Sequence, residues 1–241
     1  MSDFPLEAKN LRYRYPDGLG AISDVSFTLE EKEKIALIGA NGSGKTTLLM
    51  LLAGCMSPQK GEIYLRGRET AKDSVSLRKN TGMLFQEPDD QLFMPTVAED
   101  VSFGLVASGV NAREARAKAI AGLEALGSEY LAERPPHRMS SGEKRRAALA
   151  GILVTQPDIL LLDEPTSGLD PVARMKLIEI LDNLGKSMII ATHDLNMAMD
   201  LCDTALILKD GAITARGRTR DILLNEQLML NNGLCLPLGY Q

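Results

Sequence analysis

Eight consecutive residues, Gly39-Ala40-Asn41-Gly42-Ser43-Gly44-Lys45-Thr46, fit the pattern G-x-x-x-x-G-K-[ST] in full. The residue types explain themselves as a phosphate cradle. Glycines let a backbone wrap closely around phosphate oxygens. Successive N–H groups and the start of the following helix supply positive potential. Lys45 can reach the β- and γ-phosphates, and the Thr46 hydroxyl can face Mg²⁺. The loop alone does not separate a GTPase, a kinase, a helicase or a transporter ATPase.

A second cluster lies in Ile159-Leu160-Leu161-Leu162-Asp163-Glu164-Pro165. Four apolar residues in a row suit a strand covered on both faces. Two carboxylates at its end then have separate uses. Asp163 can hold Mg²⁺ directly or through water. Glu164, one residue later, can leave the sheet and face an attacking water as a general base.

These residues need elements to hold them. Leu11, Tyr13 and Tyr15 alternate with Arg12 and Arg14, and Val25, Phe27 and Leu29 repeat the pattern of a half-buried strand. Ile35 to Ile38 forms a short buried strand that enters the glycine-rich loop, and Lys45 to Ala53 reads as the helix after it. Further strands are expected at Glu62–Leu65, Thr81–Phe85 and Met188–Ala191, with a hairpin over Ala205–Leu208 and Ala212–Ala215 turning at Asp210-Gly211. Asn111 to Glu114 looks like a capping-box start, and Ala115, Ala119, Ile120, Leu123 and Leu126 share one helical face. Ser140-Ser141-Gly142-Glu143 opens a helix expected to run to about Gln156, and Asp170-Pro171 opens another. Strands alternating with helices imply a largely parallel sheet and an α/β fold. The tail after Asn225 has no assigned structure.

Ser140 to Glu143 has an ordinary reading as a capping box and a sharper one as an anion site at a helix N-terminus. At this point the chain resembles the ATP-binding-cassette (ABC) family. Met139–Glu143 is similar to that family's Leu-Ser-Gly-Gly-Gln signature, keeping Ser140 and Gly142 and departing at Met139, Ser141 and Glu143. The other family elements follow in order. Gln86 resembles the glutamine that senses Mg²⁺ and the attacking water. Ser167-Gly168-Leu169-Asp170 resembles the loop that crosses the dimer interface. His193 resembles the histidine that contacts the γ-phosphate, and Tyr15 the aromatic that stacks on adenine.

The resemblance covers residues 6 to about 225 and implies a single ABC ATPase domain over 1–241. Its fold would be a P-loop NTPase core with a parallel sheet, an N-terminal antiparallel β subdomain and an α-helical subdomain, about 88–156, inserted in the core. It implies ATP held by Tyr15, by Gly39 to Thr46 with Thr47, and across a dimer by Ser140, Ser141, Gly142, Glu143 and Asp170. Mg²⁺ would be held by Thr46, Gln86 and Asp163. Catalysis would fall to Glu164, His193, Lys45 and Gln86. The chain would pair with a second copy or with a different ABC ATPase subunit. It would dock, peripheral on the cytoplasmic face of the cell membrane, onto integral membrane subunits including a coupling protein.

Finer text points to a subgroup. Leu84-Phe85-Gln86-Glu87-Pro88-Asp89-Asp90-Gln91-Leu92-Phe93, with Pro136-His137-Arg138 before the signature and Lys144-Arg145-Arg146 after it, resembles the energy-coupling-factor ATPases. Within them the chain resembles the cobalt or nickel importer subunits more than the vitamin importers. A soluble ABC ATPase without a transport role, or a nucleotide-binding module without turnover, are the rival readings. Lys144-Arg145-Arg146 reads as a solvated helix face, and His137 as structural.

Composition narrows the field. The 241 residues are 44% hydrophobic and 24% charged, a globular balance, and only 4% aromatic, so the core must be aliphatic. A net charge of −5 argues against nucleic acid as a partner. Three scattered cysteines, Cys55, Cys202 and Cys235, suggest reduced thiols. The longest apolar stretch, Ala147–Val154, is far short of the roughly 20 residues of a membrane helix, and the N-terminus shows no secretory signal.

Overall fold

The computed structural model describes residues 4–70 and 74–240. In chain order its elements are β1 (Leu6–Arg14), β2 (Gly20–Leu29), β3 (Lys34–Ile38), α1 (Lys45–Leu52), β4 (Lys60–Leu65), β5 (Arg68–Glu69), α2 (Ser74–Asn80) and β6 (Thr81–Leu84). There follow α3 (Val97–Ala107), α4 (Ala112–Ala125), α5 (Ser141–Leu153), β7 (Ile159–Asp163), α6 (Pro171–Asn183), β8 (Ser187–Ala191) and α7 (Leu195–Leu201). The chain closes with β9 (Thr204–Lys209), β10 (Ala212–Arg218), α8 (Thr219–Leu223) and α9 (Glu226–Asn231). Two compact units emerge: residues 1–83, 158–164 and 182–241 form the first, and 84–157 with 165–181 the second.

The first unit holds both sheets. A four-stranded sheet runs β2-β1-β4-β5, with the β1–β2, β1–β4 and β4–β5 pairs antiparallel. A six-stranded sheet runs β10-β9-β3-β8-β7-β6, and its neighbours β9, β3, β8 and β7 pair in parallel. Every residue of β7 and β8 is buried, as expected of parallel strands covered on both faces. The parallel register does something for function: Leu37 pairs with Ala191, and Ala191 with Asp163. The C-terminal ends of β3, β8 and β7 therefore lie in one row, where open α/β sheets bind ligands.

The second unit is helical, with α3, α4 and α5 packed together. Ala115, Ala119, Leu123 and Leu126 are buried and Ile120 is half-buried, so the expected face of α4 is its core face.

Five local expectations need correction. The helix opened by Ser140 stops at Leu153, not Gln156, because Gln156 takes φ +55° ahead of Pro157, and a residue before proline is steered out of the helical region. Asn111 caps α4 with one bond from Arg113 N–H, but Glu114 pairs with Lys118 one turn on rather than completing a capping box. Strand β1 ends at Arg14, so Tyr15 stands just beyond it, its N–H bonded to the Leu19 carbonyl. Strand β10 extends to Arg218, past a register shift between Ile213 and Ala215. The tail after Asn225 contains α9, capped by Asn225 through Leu228 N–H.

Candidate active site

Helix α1 begins unlike α3, α4, α5, α7 and α9. Its N-cap is Gly44, with no side chain capping it and no acidic residue in the first turn. Helices α3, α5, α7 and α9 each have a side chain accepting from their first-turn N–H groups. The first four N–H groups of a helix lack internal partners, so α1 leaves its positive end open to an anion. Glycine at 44 is required twice over: its φ is +105°, and a Cβ there would run into the Ala21 carbonyl. Gly39 is as confined, since a Cβ would meet the Leu208 carbonyl and Ser43 Oγ. Ser43 Oγ is buried with no hydrogen-bond partner among the described residues, a polar atom left over for something not belonging to the fold.

Lys45 closes the cradle from within. Its ammonium donates to the carbonyls of Gly39 at 2.8 Å and Ala40 at 3.2 Å. Burial pushes its pKa below the ordinary 10.5, while Glu164 and Asp163 pull the other way. A buried cation resting on neutral carbonyls is poised to take an anion.

Thr46 Oγ1 donates to Asp163 Oδ2 at 2.6 Å. Asp163 is only 1% exposed, and burial raises its pKa above the ordinary 3.8, with the Thr46 bond opposing. These two hard oxygen donors fit Mg²⁺. Such a site needs substrate phosphates and water to complete it.

Glu164 sits in a strained conformation, φ +49°, its N–H bonded to the Ala191 carbonyl at 2.8 Å. Its carboxylate turns to the end of β8. Oε2 accepts from Thr192 Oγ1 and His193 N–H, both at 3.2 Å, and lies 2.8 Å from His193 Nδ1. The His193 side chain is 70% exposed, so the ring stands at the edge of the site with the carboxylate behind it. Left-handed backbone at a non-glycine residue is the kind of strain that concentrates at functional positions. Thr192 escaped the sequence reading; its hydroxyl holds Glu164 and also accepts from Asp194 N–H.

Tyr15 is half-buried, its hydroxyl 2.9 Å from Thr47 Oγ1 and its ring edge-on to Tyr13. The first unit thus brings together Tyr15, Gly39 to Thr47, Asp163, Glu164 and His193. Gln86, Ser140, Ser141, Gly142, Glu143 and Asp170 belong to the second unit.

Within the second unit, Gln86 has an exposed side chain and a carbonyl that accepts from Arg145 at 3.0 Å. Phe85 N–H donates to Gln91 Oε1, and Phe93 and Met94 N–H both donate to Asp100. The loop around Gln86 is therefore pinned from several sides. Ser140 and Glu143 form the expected capping box at α5, with Ser140 and Ser141 exposed at its tip. Asp170 Oδ1 accepts from Val172 and Ala173 N–H, the cap expected of it. The solvated-face reading of Lys144-Arg145-Arg146 is overturned. Arg145 is 4% exposed, Lys144 pairs with Asp89 at 2.6 Å, and Arg146 reaches Ser128 Oγ and Tyr130. A run of charges carried no sign that its members would be folded inward as struts. His137 is exposed in a short 3-10 turn.

Comparison with known proteins shows the family. The family described as "ABC transporter" matches residues 22–167. The energy-coupling factor transporter ATP-binding protein of Methanocaldococcus jannaschii is 39% identical over 96% of this chain and 85% of its own. The protein cbiO1 of Clostridium perfringens, described as part of the ABC transporter complex cbiONQ, superposes with a TM-score of 0.81 at 34% identity, over 95% of this chain and 94% of its own. An ATP-binding cassette solved as a dimer in a post-hydrolysis state with ADP and Pi also gives 0.81, at 28% identity over 89% of this chain and 99% of its own.

Proposed function

The chain belongs to the ABC transporter family and is an ATP-hydrolysing subunit of it; from that premise we propose that it powers an energy-coupling-factor importer as one half of an ATP-sandwich dimer. The observation that carries this reading is the row of strand ends. Loop Gly39–Gly44, the Asp163–Glu164 pair and His193 leave β3, β7 and β8 side by side.

The division of labour follows from the contacts. The open N–H groups of α1 and the Lys45 ammonium grip the triphosphate. Tyr15 stacks on the adenine. Thr46 and Asp163 would hold Mg²⁺, with Gln86 assigned to the same ion by the family resemblance; the ion would neutralise charge on the phosphate oxygens. Glu164, held by Thr192 and His193, takes the proton of the attacking water, and His193 faces the γ-phosphate. Ser140, Ser141, Gly142 and Glu143 of a second protomer close over that phosphate through the helix N-terminus, with Asp170 at the same interface. ATP then binds the closed dimer better than the open one, which is the differential affinity a switch requires.

Among the described residues no helix is long and apolar enough to cross a membrane, so transport calls for another chain. The second unit offers a place for it. Met94, Pro95, Phe103 and Val106 line a groove of about 430 Å³, with Glu99 and Arg116 also on its wall. Phe93 and Phe103, both exposed, meet edge to face beside it. We assign the groove to an apolar segment of a membrane-embedded coupling subunit, with this chain on the cytoplasmic face; the cbiONQ neighbour supports that assembly. For cargo we propose cobalt or nickel, on the chain's resemblance to the ATPase subunits of those importers rather than on any residue that reads the ion.

Affinity capture of the tagged chain from membranes, followed by reconstitution, tests the reading. We expect co-purifying membrane subunits, ATPase activity in the complex, and Co²⁺ or Ni²⁺ uptake that requires the intact subunit. Vitamin uptake instead would transfer the cargo; no membrane partner and no turnover would overturn the proposal.

A further inference from the structure

The first turn of α5 carries a hydroxyl whose proton already has an owner. Ser140 Oγ donates to Glu143 Oε2 at 2.9 Å and accepts from Glu143 N–H at 3.3 Å. The same Oε2 accepts from Ser140 N–H at 2.8 Å. Glu143 Oε1 is held in turn by Arg134 at 3.0 Å and by the Tyr130 hydroxyl at 3.4 Å. Both carboxylate oxygens are thus engaged. The Ser140 backbone bond, with the other partners, holds the carboxyl below its ordinary 4.5, so it is an anion at neutral pH.

A serine hydroxyl has one proton and two lone pairs. While that O–H points at Glu143 and one lone pair accepts from Glu143 N–H, only the second lone pair is left to face outward. A phosphate oxygen also offers only lone pairs, so it cannot bond to Ser140 in this state. To meet a phosphate, the Ser140 O–H must swing off a charge-assisted bond, and it must do so beside a residual negative charge.

We propose that Glu143 is a positioning residue that restrains sandwich closure, by holding the Ser140 proton away from the γ-phosphate until the triphosphate competes for it. This rests on the reading of Ser140 to Glu143 as the second half of the nucleotide site. Arg134 and Tyr130 set the strength of the restraint, since they fix the carboxylate that does the holding. A glutamine at 143 keeps an acceptor for Ser140 N–H, and so keeps the cap, but holds the Ser140 proton only through a neutral bond of about half the strength.

The test compares Glu164→Gln with Glu164→Gln/Glu143→Gln, titrating MgATP and reading dimer by light scattering after size exclusion. The double variant is expected to dimerise at five- to tenfold lower ATP, with a melting temperature lowered by a few degrees at most as the Arg134 pair loses its charge. In a Ser140→Ala background the gain from Glu143→Gln should shrink, because no proton remains to release. A residue that only caps the helix would move neither midpoint. A parent that dimerises with the same midpoint in both variants overturns the restraint and leaves the sandwich standing. Absence of dimer in either variant at saturating MgATP overturns both.

Discussion

Glu164→Gln isolates charge from shape. The amide keeps an oxygen to accept from Thr192 Oγ1 and His193 N–H, both 3.2 Å from the present carboxylate oxygen. The backbone stays at φ +49°, so the strain there, about 1–2 kcal/mol, does not change. What is lost is the negative charge behind the His193 ring, 2.8 Å away. Making one charge-assisted contact neutral costs stability about 1 kcal/mol. Losing a positioned base costs rate about 10²–10⁴, or about 3–5 kcal/mol at 1.36 kcal/mol per decade. The outcome should therefore be lopsided: turnover falls at least a hundredfold, the melting temperature moves by a few degrees at most, and ATP affinity is kept. Steady-state phosphate release, nucleotide binding by fluorescence and size exclusion with MgATP measure the three quantities. The variant should also accumulate as dimer, because hydrolysis no longer reopens it. Glu164→Gly is the companion: it relieves the strained φ but removes the base and takes the acceptor from Thr192 Oγ1 and His193 N–H, so turnover is lost and stability is at best held. Turnover within threefold of the parent in the Gln variant, or a parallel loss of ATP affinity, would refute the assignment.

Two further outcomes follow from the same site and a third from the cysteines. Asp163 is held above its ordinary pKa by burial, so its contribution to stability is greatest below pH 3.8 and is lost as pH rises through the raised value. Asp163→Asn should therefore raise the nucleotide-free melting temperature at neutral pH, while abolishing Mg²⁺-dependent gain in nucleotide affinity; a lower melting temperature contradicts the argument. MgATP at a hundred times its Kd should stabilise the parent by about 2.7 kcal/mol, and Lys45→Ala should lose that thermal shift; an undiminished shift removes Lys45 from the phosphate site. Burial pushes the Cys202 thiol up to about 12, whereas Cys55 and Cys235 are exposed, so iodoacetamide should label two thiols in the native protein and the third only after denaturation, counted by intact mass.

The chain stated its local chemistry openly. Gly39 to Thr46 could be read as a phosphate loop because its constraints are covalent and local: glycines where φ is positive, and a lysine and threonine at fixed offsets. Ser140 with Glu143, and Asp170 with Pro171, announced helix starts for the same reason. The charged run Lys144-Arg145-Arg146 was misread, since nothing within five residues reveals that Asp89, Gln86 and Ser128 are its partners. Those lie 18 to 59 positions away in the chain. Thr192 was missed likewise: a threonine at a strand end has no local mark, and its value comes from a carboxylate 28 positions earlier.

The sequence by itself determined the residue types, the phosphate loop, the buried strands and most helix starts, because each depends on spacing within a turn or two of backbone. Only the tertiary structure decided that β3, β8 and β7 end in one row, that Glu164 bends back through a left-handed φ to meet His193, and that Glu143 holds the Ser140 proton. The first two depend on strand order and register, which long-range pairing fixes. The last depends on where one proton points, and only a side chain's full set of neighbours determines that.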